Sequence, residues 1–555
     1  MGRVFAYKKN YFVPKESFIP QGEERSQLDH YLCVKKQAME ELERLKLAMR
    51  KHDPKKADIF DAHQEILNDI VINEEIPSRI LNERWAGDWA IYQVYETVLV
   101  VLKQTADSLI AERAADFEDV RTLLLTLWHG KKNEGLSAIR EPVIIAANDL
   151  LPSDTASLDK DKVLAIITET GGVTSHTAII AKSYGIPTVL GIQGLLDVVN
   201  HGQLAVLNAD EGTVILDPAE SVVAEYEKKY ETFRRDRQDA DTFLNREGCT
   251  ADGVKIDIGL NIAAATDAEL TAARFTDSAG LFRTEFLYMR SNSLPTEDEQ
   301  ISAYKRVLEC FGEKPVILRV LDIGGDKNPS CIDIAREDNP FLGNRALRFC
   351  FSHPDIFRTH IRACLRSAVY GNLWIMFPMV SSLEDIRRAK DFVAAVREEL
   401  INEGKSCGEV KIGIMVEVPS IALIAKHAAE EVDFASIGSN DLCQYLCAAD
   451  RMNSTVESYY QDYHPALFRL IKETVCAFEK AGKPVSLCGE LASDPLVTPV
   501  LAGLGLRKLS MGAASVATIK RAIASFTVKQ AEETAARVLE LSTAADVKEF
   551  LSNIR

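Results

Sequence analysis

Two different hydrophobic patterns divide the first half of the chain. From about residue 21 to 130, apolar residues such as Met39, Leu42 and Leu45 recur every three to four positions, and glycine is nearly absent. This spacing puts apolar side chains on one face of a helix, so the segment is predicted to be a helical bundle. From about 140 to 218, short apolar runs separated by turn residues predict the strands of a compact α/β unit.

The rest of the chain, from residue 254 onward, alternates between strand-like apolar runs and helical stretches. These runs fall at 256–262, 279–283, 316–321, 374–379, 411–417, 432–438, 485–490 and 507–511. About eight such β/α units predict a TIM (β/α)8 barrel, whose chemistry lies at the C-terminal ends of the strands. Polar or reactive residues cluster at those ends: Arg283, Asp322, Glu417, Asn440, Asp441, Cys488 and Glu490.

Composition and charge narrow the class of protein. The 555 residues are 46% hydrophobic and 26% charged, which is typical of a globular chain of several domains. The formal net charge of −17 disfavours a nucleic-acid partner and suits a basic protein partner. The acidic run at 60–76 is accordingly either a solvated helix face or a docking patch.

The cysteines and the hydropathy profile indicate the cellular compartment of the protein. The 11 cysteines are scattered without a C-x-x-C pair, as expected for free thiols in a reducing compartment. The N-terminus lacks the apolar core of a signal peptide, and no stretch approaches the roughly 20 apolar residues of a membrane span. We therefore expect a cytoplasmic protein that does not enter the membrane.

One histidine stands in a distinctive context, GGVTSHTAIIAKSYG, at residues 171–185. Ser175 is a candidate N-cap and Gly185 a candidate helix stop, so His176 is predicted in the first turn of a helix. The positive end of the helix dipole disfavours imidazolium and stabilises an attached phosphoryl group. A surface histidine near a cap is the alternative, but the glycine pair and the flanking threonines favour a phosphoryl carrier.

The barrel offers a second set of candidates. Arg283, Arg345 and Arg451 are suited to clamp a small molecule that carries phosphate and carboxylate groups. Glu417 and Asp441 end successive strands and either share a Mg²⁺ ion or form a structural ion pair at the barrel mouth. Cys488, also at a strand end, is either an acid–base thiol or a buried filler.

Several motifs together resemble one family. They are GGVTSHTAIIAKSYGIP, LFRTEFLYMRS, LDIGGDK, NPFLGNRALR, IMVEVPS, SIGSNDLCQYLCAADR and LCGELASD. In this order they resemble enzyme I of the bacterial phosphoenolpyruvate:sugar phosphotransferase system, from about residue 30 to the end. The resemblance implies an α/β multidomain protein: a swivelling phosphohistidine α/β domain with an inserted helical bundle, followed by a TIM barrel.

The resemblance also implies partners, a cofactor and residue roles. Phosphoenolpyruvate would phosphorylate His176, which would then phosphorylate a histidine of the carrier HPr in the first step of sugar uptake. The implied cofactor is Mg²⁺, and the implied assembly is a homodimer formed through the barrel. The matched residues are His176 as phosphohistidine, Thr155 as the residue holding its ring, Arg283, Arg345, Asn440, Asp441 and Arg451 as substrate contacts, Glu417 and Asp441 as Mg²⁺ ligands, and Cys488 as proton donor.

Domain boundaries follow from the same patterns. Residues 1–20 and 136–220 are assigned to the phosphohistidine domain, and 21–135 to the carrier-binding bundle. A charged helix at 221–250 is expected to link them to the barrel and dimerisation domain at 251–555. Three departures from the family pattern stand out. The family's usual glycine- and proline-bearing opening strand is missing before Met1, which would either loosen the phosphohistidine domain or mean that the chain starts at an internal methionine. Val173 and Val418 stand where the family commonly has arginine and threonine.

Two other functions share parts of this sequence pattern. A pyruvate–phosphate dikinase or phosphoenolpyruvate synthase shares the phosphohistidine unit and the barrel, but needs a nucleotide-binding domain. The helical region here lacks a Gly-rich phosphate loop, which disfavours that reading. A non-catalytic sensor of pyruvate or phosphoenolpyruvate is disfavoured because His176, Glu417, Asp441 and Cys488 are all retained.

Overall fold

The chain folds into two compact units, Met1–Thr232 and Phe233–Arg555, in a computed structural model. It describes the 555 residues except 9–11, 51–53, 105–107, 131–135, 137–138, 157, 172–176, 179–180, 182–184, 210, 290–292, 326, 328, 330, 336 and 555. Within the described part of the chain, no helix has both the length and the apolar character needed to cross a bilayer.

The first unit contains the predicted helical bundle. Its helices are α1 (Glu24–Arg50), α2 (Pro54–Leu67), α3 (Ile70–Glu83), α4 (Gly87–Gln104) and α5 (Ser108–Trp128). The apolar stripe of α3, formed by Ile72, Ile76 and Ile80, is buried in the bundle core. The acidic run at 60–76 is broken between α2 and α3, because Asp69 accepts a hydrogen bond from the backbone N–H of Ile72 and caps α3.

A six-stranded sheet completes the first unit. Its strands are β1 (Gly2–Tyr7), β2 (Val143–Ala147), β3 (Val163–Thr168), β4 (Thr188–Val189), β5 (Leu204–Asn208) and β6 (Thr213–Leu216), in the order β4-β3-β2-β1-β5-β6. The short helices α6 (Pro152–Ala156) and α7 (Leu195–Val198) accompany it, and α8 (Glu220–Asp241) follows.

The first strand of the sheet was not predicted from the sequence. β1 lies inside the sheet, parallel to β2 and antiparallel to β5, and Val4 is buried. The sequence did not predict a strand at Gly2–Tyr7, because Arg3 interrupts its apolar residues and the segment is only partly buried.

The second unit is a closed, all-parallel barrel of eight strands in sequential order, as predicted. The strands are β7 (Asp257–Ile262), β8 (Ser278–Phe282), β9 (Val316–Arg319), β10 (Leu373–Phe377), β11 (Lys411–Val416), β12 (Phe434–Ile437), β13 (Val485–Leu487) and β14 (Lys508–Met511). Each overlaps one predicted run, because strands buried on both faces are short continuous apolar runs.

Helices surround the barrel and connect its strands. They are α9 (Asp267–Thr271), α10 (Phe286–Met289), α11 (Glu297–Phe311), α12 (Leu347–Ser352), α13 (Pro354–Ser367), α14 (Leu383–Asn402), α15 (Pro419–Leu423), α16 (Ala425–Glu431), α17 (Ser439–Cys447), α18 (Pro465–Lys480), α19 (Thr498–Gly503), α20 (Val516–Ala524), α21 (Val528–Glu540) and α22 (Ala544–Asn553). Reciprocal side-chain caps begin α9, α11, α14 and α21, for example Thr296 with Glu299.

Candidate active site

A buried network of charges occupies the C-terminal end of β8 and β9. Arg319, the last residue of β9, donates to Glu285 at 2.9 Å and lies 3.1 Å from Asp322. Asp322 also pairs with Lys327 at 2.7 Å. Arg319, Asp322 and Glu285 are each no more than 5% exposed. Buried charges are tolerated only when paired, so this network holds the barrel mouth in one arrangement.

Arg345 joins the network from the loop that follows β9. Its guanidinium donates to Asp322 at 2.9 Å and to the hydroxyl of Tyr445 at 3.1 Å. Gly324 permits the close approach: a Cβ there would lie 2.8 Å from the Cβ of Arg345, and the φ of +97° also favours glycine. The LDIGGDK motif therefore places Arg345 against Asp322.

The network keeps its acidic members ionised. Burial by itself would raise the pKa of Asp322, but Lys327, Arg319 and Arg345 outweigh burial and hold that pKa well below its usual value. The same competition between burial and the nearby cations Arg319 and Lys327 lowers the pKa of Glu285.

Glu417 and Asp441 present carboxylate oxygens that nothing in the described protein satisfies. Glu417 follows β11 and accepts a 2.6 Å hydrogen bond from the backbone N–H of Met379 through Oε1. Its Oε2, and Oδ1 of Asp441 in the first turn of α17, are buried and have no hydrogen-bond partner among the described residues. Guanidinium nitrogens of Arg345 and Arg451 lie 3.6 and 3.8 Å from Oδ1 of Asp441, which is beyond hydrogen-bond distance.

The environment makes Glu417 basic. Burial, followed by the neighbouring carboxylates Asp441 and Asp322, raises the pKa of Glu417 to about 8. Arg319 and Arg345 act in the opposite direction but do not cancel the shift. Such a carboxylate exchanges its proton readily for another cation.

The two orphaned oxygens fit a divalent cation with oxygen preference. Among the described residues, no group of three or more histidine, cysteine, aspartate or glutamate side chains is arranged to hold a metal by itself. Two carboxylates alone leave coordination positions for water and substrate oxygens, which is the usual arrangement around catalytic Mg²⁺. The donor set is thus compatible with Mg²⁺ and poor for Zn²⁺.

The other predicted barrel residues lie around this centre. Asn440 stands beside Asp441 in α17, and its Oδ1 accepts from the backbone N–H of Glu490 at 2.8 Å. Arg451 lies in the loop after α17, where its backbone N–H donates to Gln444 at 3.2 Å. Arg283 follows β8 with an exposed side chain, so it is available to a ligand.

Cys488 directly follows β13 and is 4% exposed. Burial raises the pKa of its thiol, while Ser436, Arg319 and Arg283 partly oppose the shift. The thiol is therefore protonated near neutral pH, as a proton donor must be. It packs in the barrel interior with Met415 and Phe434, which keeps bulk water away on that side.

Around the predicted phosphohistidine, the structure describes neighbouring residues but not the histidine itself. His176, with Val173 and Ser175, lies outside the described residues. Thr155 is buried in α6, and the neighbouring Asp154 accepts from Tyr7 of β1 at 2.7 Å. Thr177, which follows His176 in the chain, donates to Asp149 at 2.8 Å.

The sequence did not single out four residues of this network, Arg319, Glu285, Lys327 and Tyr445. It placed Asp322 at a strand end but predicted no role for it. A signal for Arg319 existed: an arginine inside the otherwise apolar run VILRVL has no solvent to reach and needs a buried counter-charge. Tyr445 carries no such signal, because its contact with Arg345 spans 100 residues of chain.

Comparison with known proteins identifies the family of the chain. Three family models match: "PEP-utilising enzyme, N-terminal" at 1–113, "PEP-utilising enzyme, mobile domain" at 139–212 and "PEP-utilising enzyme, PEP-binding domain" at 237–528. The chain is a phosphoenolpyruvate-utilising enzyme.

Relatives narrow the class further. The phosphoenolpyruvate-protein phosphotransferase of Staphylococcus carnosus is 41% identical over 497 residues, covering 89% of this chain and 87% of the relative. The enzymes of that name from Geobacillus stearothermophilus and Bacillus subtilis are 40% and 38% identical, covering 93% and 97% of this chain and 89% and 94% of theirs. This chain belongs to the phosphoenolpyruvate-protein phosphotransferase family.

Proposed function

We infer that the chain transfers the phosphoryl group of phosphoenolpyruvate to its own His176 and then to a histidine of an HPr-like carrier. The observation that carries this inference is the barrel mouth, where buried, paired arginines stand beside two unsatisfied carboxylate oxygens. Such a mouth suits a small trianion accompanied by a divalent cation. In the family pathway, this is the first step of sugar uptake.

The arginines bind and orient the substrate. Arg283, Arg319, Arg345 and Arg451 supply guanidinium forks for its phosphate and carboxylate groups, and the Asn440 side chain adds a polar contact. Because Arg319 and Arg345 are already held by Asp322, they need little reorganisation when charge develops in the transition state. Phosphoryl transfer depends mainly on this kind of positioning and charge stabilisation.

Glu417 and Asp441 are the proposed Mg²⁺ ligands. A Mg²⁺ ion held by these two carboxylates would supply positive charge for phosphoryl transfer. Loss of the phosphoryl group leaves an enolate, and Cys488 gives its thiol proton to C3 of that enolate to form pyruvate. Thr155 is proposed to hold the ring of His176 in the first unit.

The bundle is the proposed docking site for the carrier. On α3, Ile70 and Val71 are 73% and 66% exposed, next to the exposed acids Glu65 and Glu74. An apolar patch with an acidic rim suits a basic protein partner. Helix α2 also contacts α6, which carries Thr155, so this patch belongs to the same unit as the candidate phosphohistidine.

The proposal also includes the oligomeric state and the cellular location of the protein. Exposed apolar side chains in the loops and helices at the C-terminal side of the barrel, among them Leu423 and Tyr459, support a homodimer formed through the barrel. All 11 cysteines are free, which supports a reducing, cytoplasmic location. The domain limits given above remain our proposal for the division of labour along the chain.

Labelling with phosphoenolpyruvate tests the function. The full chain, incubated with ³²P-phosphoenolpyruvate and Mg²⁺, is expected to gain acid-labile, base-stable phosphate. His176→Ala should abolish the labelling, while His201→Ala, in the same unit, should leave it intact. Labelling that survives His176→Ala would refute the phosphohistidine assignment.

A further inference from the structure

The interior of the barrel is apolar on one side and polar on the other. Strands β9 to β12 contribute large apolar side chains, such as Ile317, Trp374 and Phe434. Strands β12 to β14 contribute Ser436, Ser486 and Ser510, which we call the serine relay. A TIM barrel interior is normally filled with branched apolar side chains, so a polar half indicates a role other than packing.

A cavity of about 30 Å³ lies between the two halves. Ile317 and Trp374 line its apolar side, and Ser278, Ser486 and Ser510 line its polar side. The volume is enough for a water molecule, and the lining supplies hydroxyl partners for it. Gly280 keeps the strands close, because a Cβ there would lie 2.3 Å from the hydroxyl of Ser510.

Two hydroxyls of the serine relay are buried without a hydrogen-bond partner among the described residues, those of Ser436 and Ser486. They are 0% and 5% exposed, and the two residues are paired in register across β12 and β13. Leaving a buried hydroxyl unsatisfied costs about 1–3 kcal/mol, so such groups normally meet ordered water. The cavity borders Ser486, and Ser436 is its neighbour on the adjacent strand, so a water in the cavity can satisfy the hydroxyl of Ser486.

The inner end of the relay is Cys488. Cys488 follows Ser486 by two residues along β13, so both side chains face the barrel interior. The thiol of Cys488 donates to the carbonyl oxygen of Ile437 at 3.6 Å, and Ile437 directly follows Ser436, so the thiol lies beside the Ser436 end of the relay. The Ser436 hydroxyl opposes the rise in the pKa of that thiol. Asn261 ties the two strands together, since it accepts from Ser510 at 2.6 Å and donates to the carbonyl of Cys488 at 3.1 Å.

The outer end of the relay reaches the N-terminal mouth of the barrel. Lys508, at the start of β14, lines the cavity and pairs with Asp257 at the start of β7 at 2.5 Å. Their side chains are 40% and 28% exposed. The polar half therefore runs from solvent at one mouth to the thiol near the other.

We propose that the serine relay, with water in its cavity, returns protons to Cys488 from the N-terminal mouth of the barrel. The inference rests on the proposed function, in which Cys488 protonates the enolate. In that step the S–H bond breaks as the π electrons of the enolate form the new C3–H bond, and a thiolate remains. The thiolate takes a proton from Ser436, Ser436 takes one from its neighbour Ser486, and Ser486 takes one from the water in the cavity. That water takes a proton from bulk solvent past Ser510 and Lys508.

A separate entrance has a physical advantage. Substrate and its cation occupy the C-terminal mouth during turnover, and a water entering there would compete for the enolate. Supplying protons from the opposite mouth restores the thiol without opening the site.

Deuterium loss from pyruvate tests the proposal. The full chain, phosphoenolpyruvate and Mg²⁺ are mixed in H₂O with pyruvate that carries ¹³C and three C3 deuterons, so that no carrier is needed. Mass spectrometry follows carbon exchange into phosphoenolpyruvate and loss of deuterium from pyruvate. In the reverse step the thiolate collects a deuteron, which either escapes to solvent through the relay or returns to the enolate.

We expect Ser486→Val to keep carbon exchange near the wild-type rate and to lower deuterium loss per exchange event about tenfold. Ser486→Thr adds the same volume but keeps the hydroxyl, so it should lose deuterium faster than the valine variant. Ser367→Ala, which removes a buried hydroxyl outside the barrel interior, should behave like wild type. Retained carbon exchange shows that each variant is folded.

Three outcomes overturn the proposal, and they are distinguishable. Wild-type deuterium loss in Ser486→Val would show that protons reach Cys488 elsewhere. Equal retention in the valine and threonine variants would show that bulk, not the hydroxyl, limits the exchange. Wild-type carbon exchange in Cys488→Ala would refute the proton-donor role itself and the relay with it.

Discussion

At the scale of single residues, Asp322 is the side chain on which most of the barrel mouth depends. It pairs at once with Arg319, Lys327 and Arg345, and it is 1% exposed. Neutralising it removes the closest counter-charge of Lys327 and Arg345 and leaves Arg319 paired with Glu285 alone. The arginines would then lose the partner that holds them in place for a substrate.

The first prediction is that Asp322→Asn destabilises the barrel unit by about 3–5 kcal/mol, the usual cost of unpairing a buried charge. Urea unfolding followed by circular dichroism measures it. Asp391→Asn, an exposed change in the middle of α14, is the matched control and should shift the free energy of unfolding by less than about 0.5 kcal/mol. A similar small shift for both variants would contradict the role given to the network.

Glu417 carries the second prediction. Glu417→Gln keeps the size of the side chain but removes the charge beside an unsatisfied oxygen. Autophosphorylation by phosphoenolpyruvate should fall about a hundredfold or more, because several kcal/mol of charge stabilisation depend on the cation. Titration calorimetry should show weakened Mg²⁺ binding, whereas the exposed change Glu479→Gln should alter neither quantity.

At the scale of elements, the packing of α11 against α13 contains a histidine that folding keeps neutral. Nδ1 of His360 lies 3.0 Å from the hydroxyl of Tyr304 and 3.0 Å from Oε1 of Gln300, and the residue is 0% exposed. Burial lowers the pKa of His360 to about 4. The unfolded chain, with a pKa near the ordinary 6.5, therefore binds more protons between these values.

The third prediction is that buried, neutral His360 makes the free energy of unfolding depend on pH. Its contribution to that free energy is fully present above about pH 6.5 and is lost as the pH falls towards 4, by up to about 3 kcal/mol. His360→Gln should flatten the dependence of the free energy of unfolding on pH in this window. His427→Gln, at an exposed position, should leave the slope unchanged, and an unchanged slope in both would refute the assignment.

The exposed face of α3 provides the fourth prediction. Val71→Lys places a positive charge in the patch proposed to meet a basic carrier, so the KM for the carrier should rise about tenfold, or ~1.4 kcal/mol. Autophosphorylation should not change, because the barrel is untouched. Val198→Lys is the control, since Val198 is also exposed, on α7 of the same unit. Equal KM values for both variants would place the docking patch elsewhere.

At the scale of the whole molecule, the chain separates into units between Thr232 and Phe233, inside α8. The C-terminal part of this helix belongs with the barrel, because Arg521 donates to the carbonyl of Asp236 at 2.8 Å. The candidate phosphohistidine and the barrel mouth thus lie in different units.

The fifth prediction is that these units divide the chemistry. A fragment of residues 1–232 should exchange phosphate with phosphorylated carrier through His176 and should not react with phosphoenolpyruvate. A fragment of residues 233–555 should bind phosphoenolpyruvate with Mg²⁺ and remain unphosphorylated. Circular dichroism checks that each fragment is folded, and direct labelling of folded 1–232 by phosphoenolpyruvate would contradict the division.

Much of the architecture was predictable because it depends on local periodicity. The eight barrel strands and their polar ends follow from apolar runs of strand length, and the bundle follows from helical spacing. Arg283, Glu417, Asn440, Asp441 and Cys488 could be named because they stand at or just after the ends of such strands. Arg345 and Arg451 lie in later loops, and the family resemblance assigned their roles as substrate contacts. Strand β1 was not predicted, since its pairing with β2 joins residues about 140 positions apart.

What the amino-acid order determined here is therefore the set of elements and the chemistry available at their ends. Only the tertiary structure decided which side chains meet: Arg319 with Glu285 and Asp322, Arg345 with Tyr445, and the serine relay below Cys488. The raised pKa of Glu417 is also a tertiary property, because burial and neighbouring carboxylates cause it. Periodicity is a property of neighbours in the chain, whereas desolvation and charge pairing depend on distances that exist only after the barrel has closed.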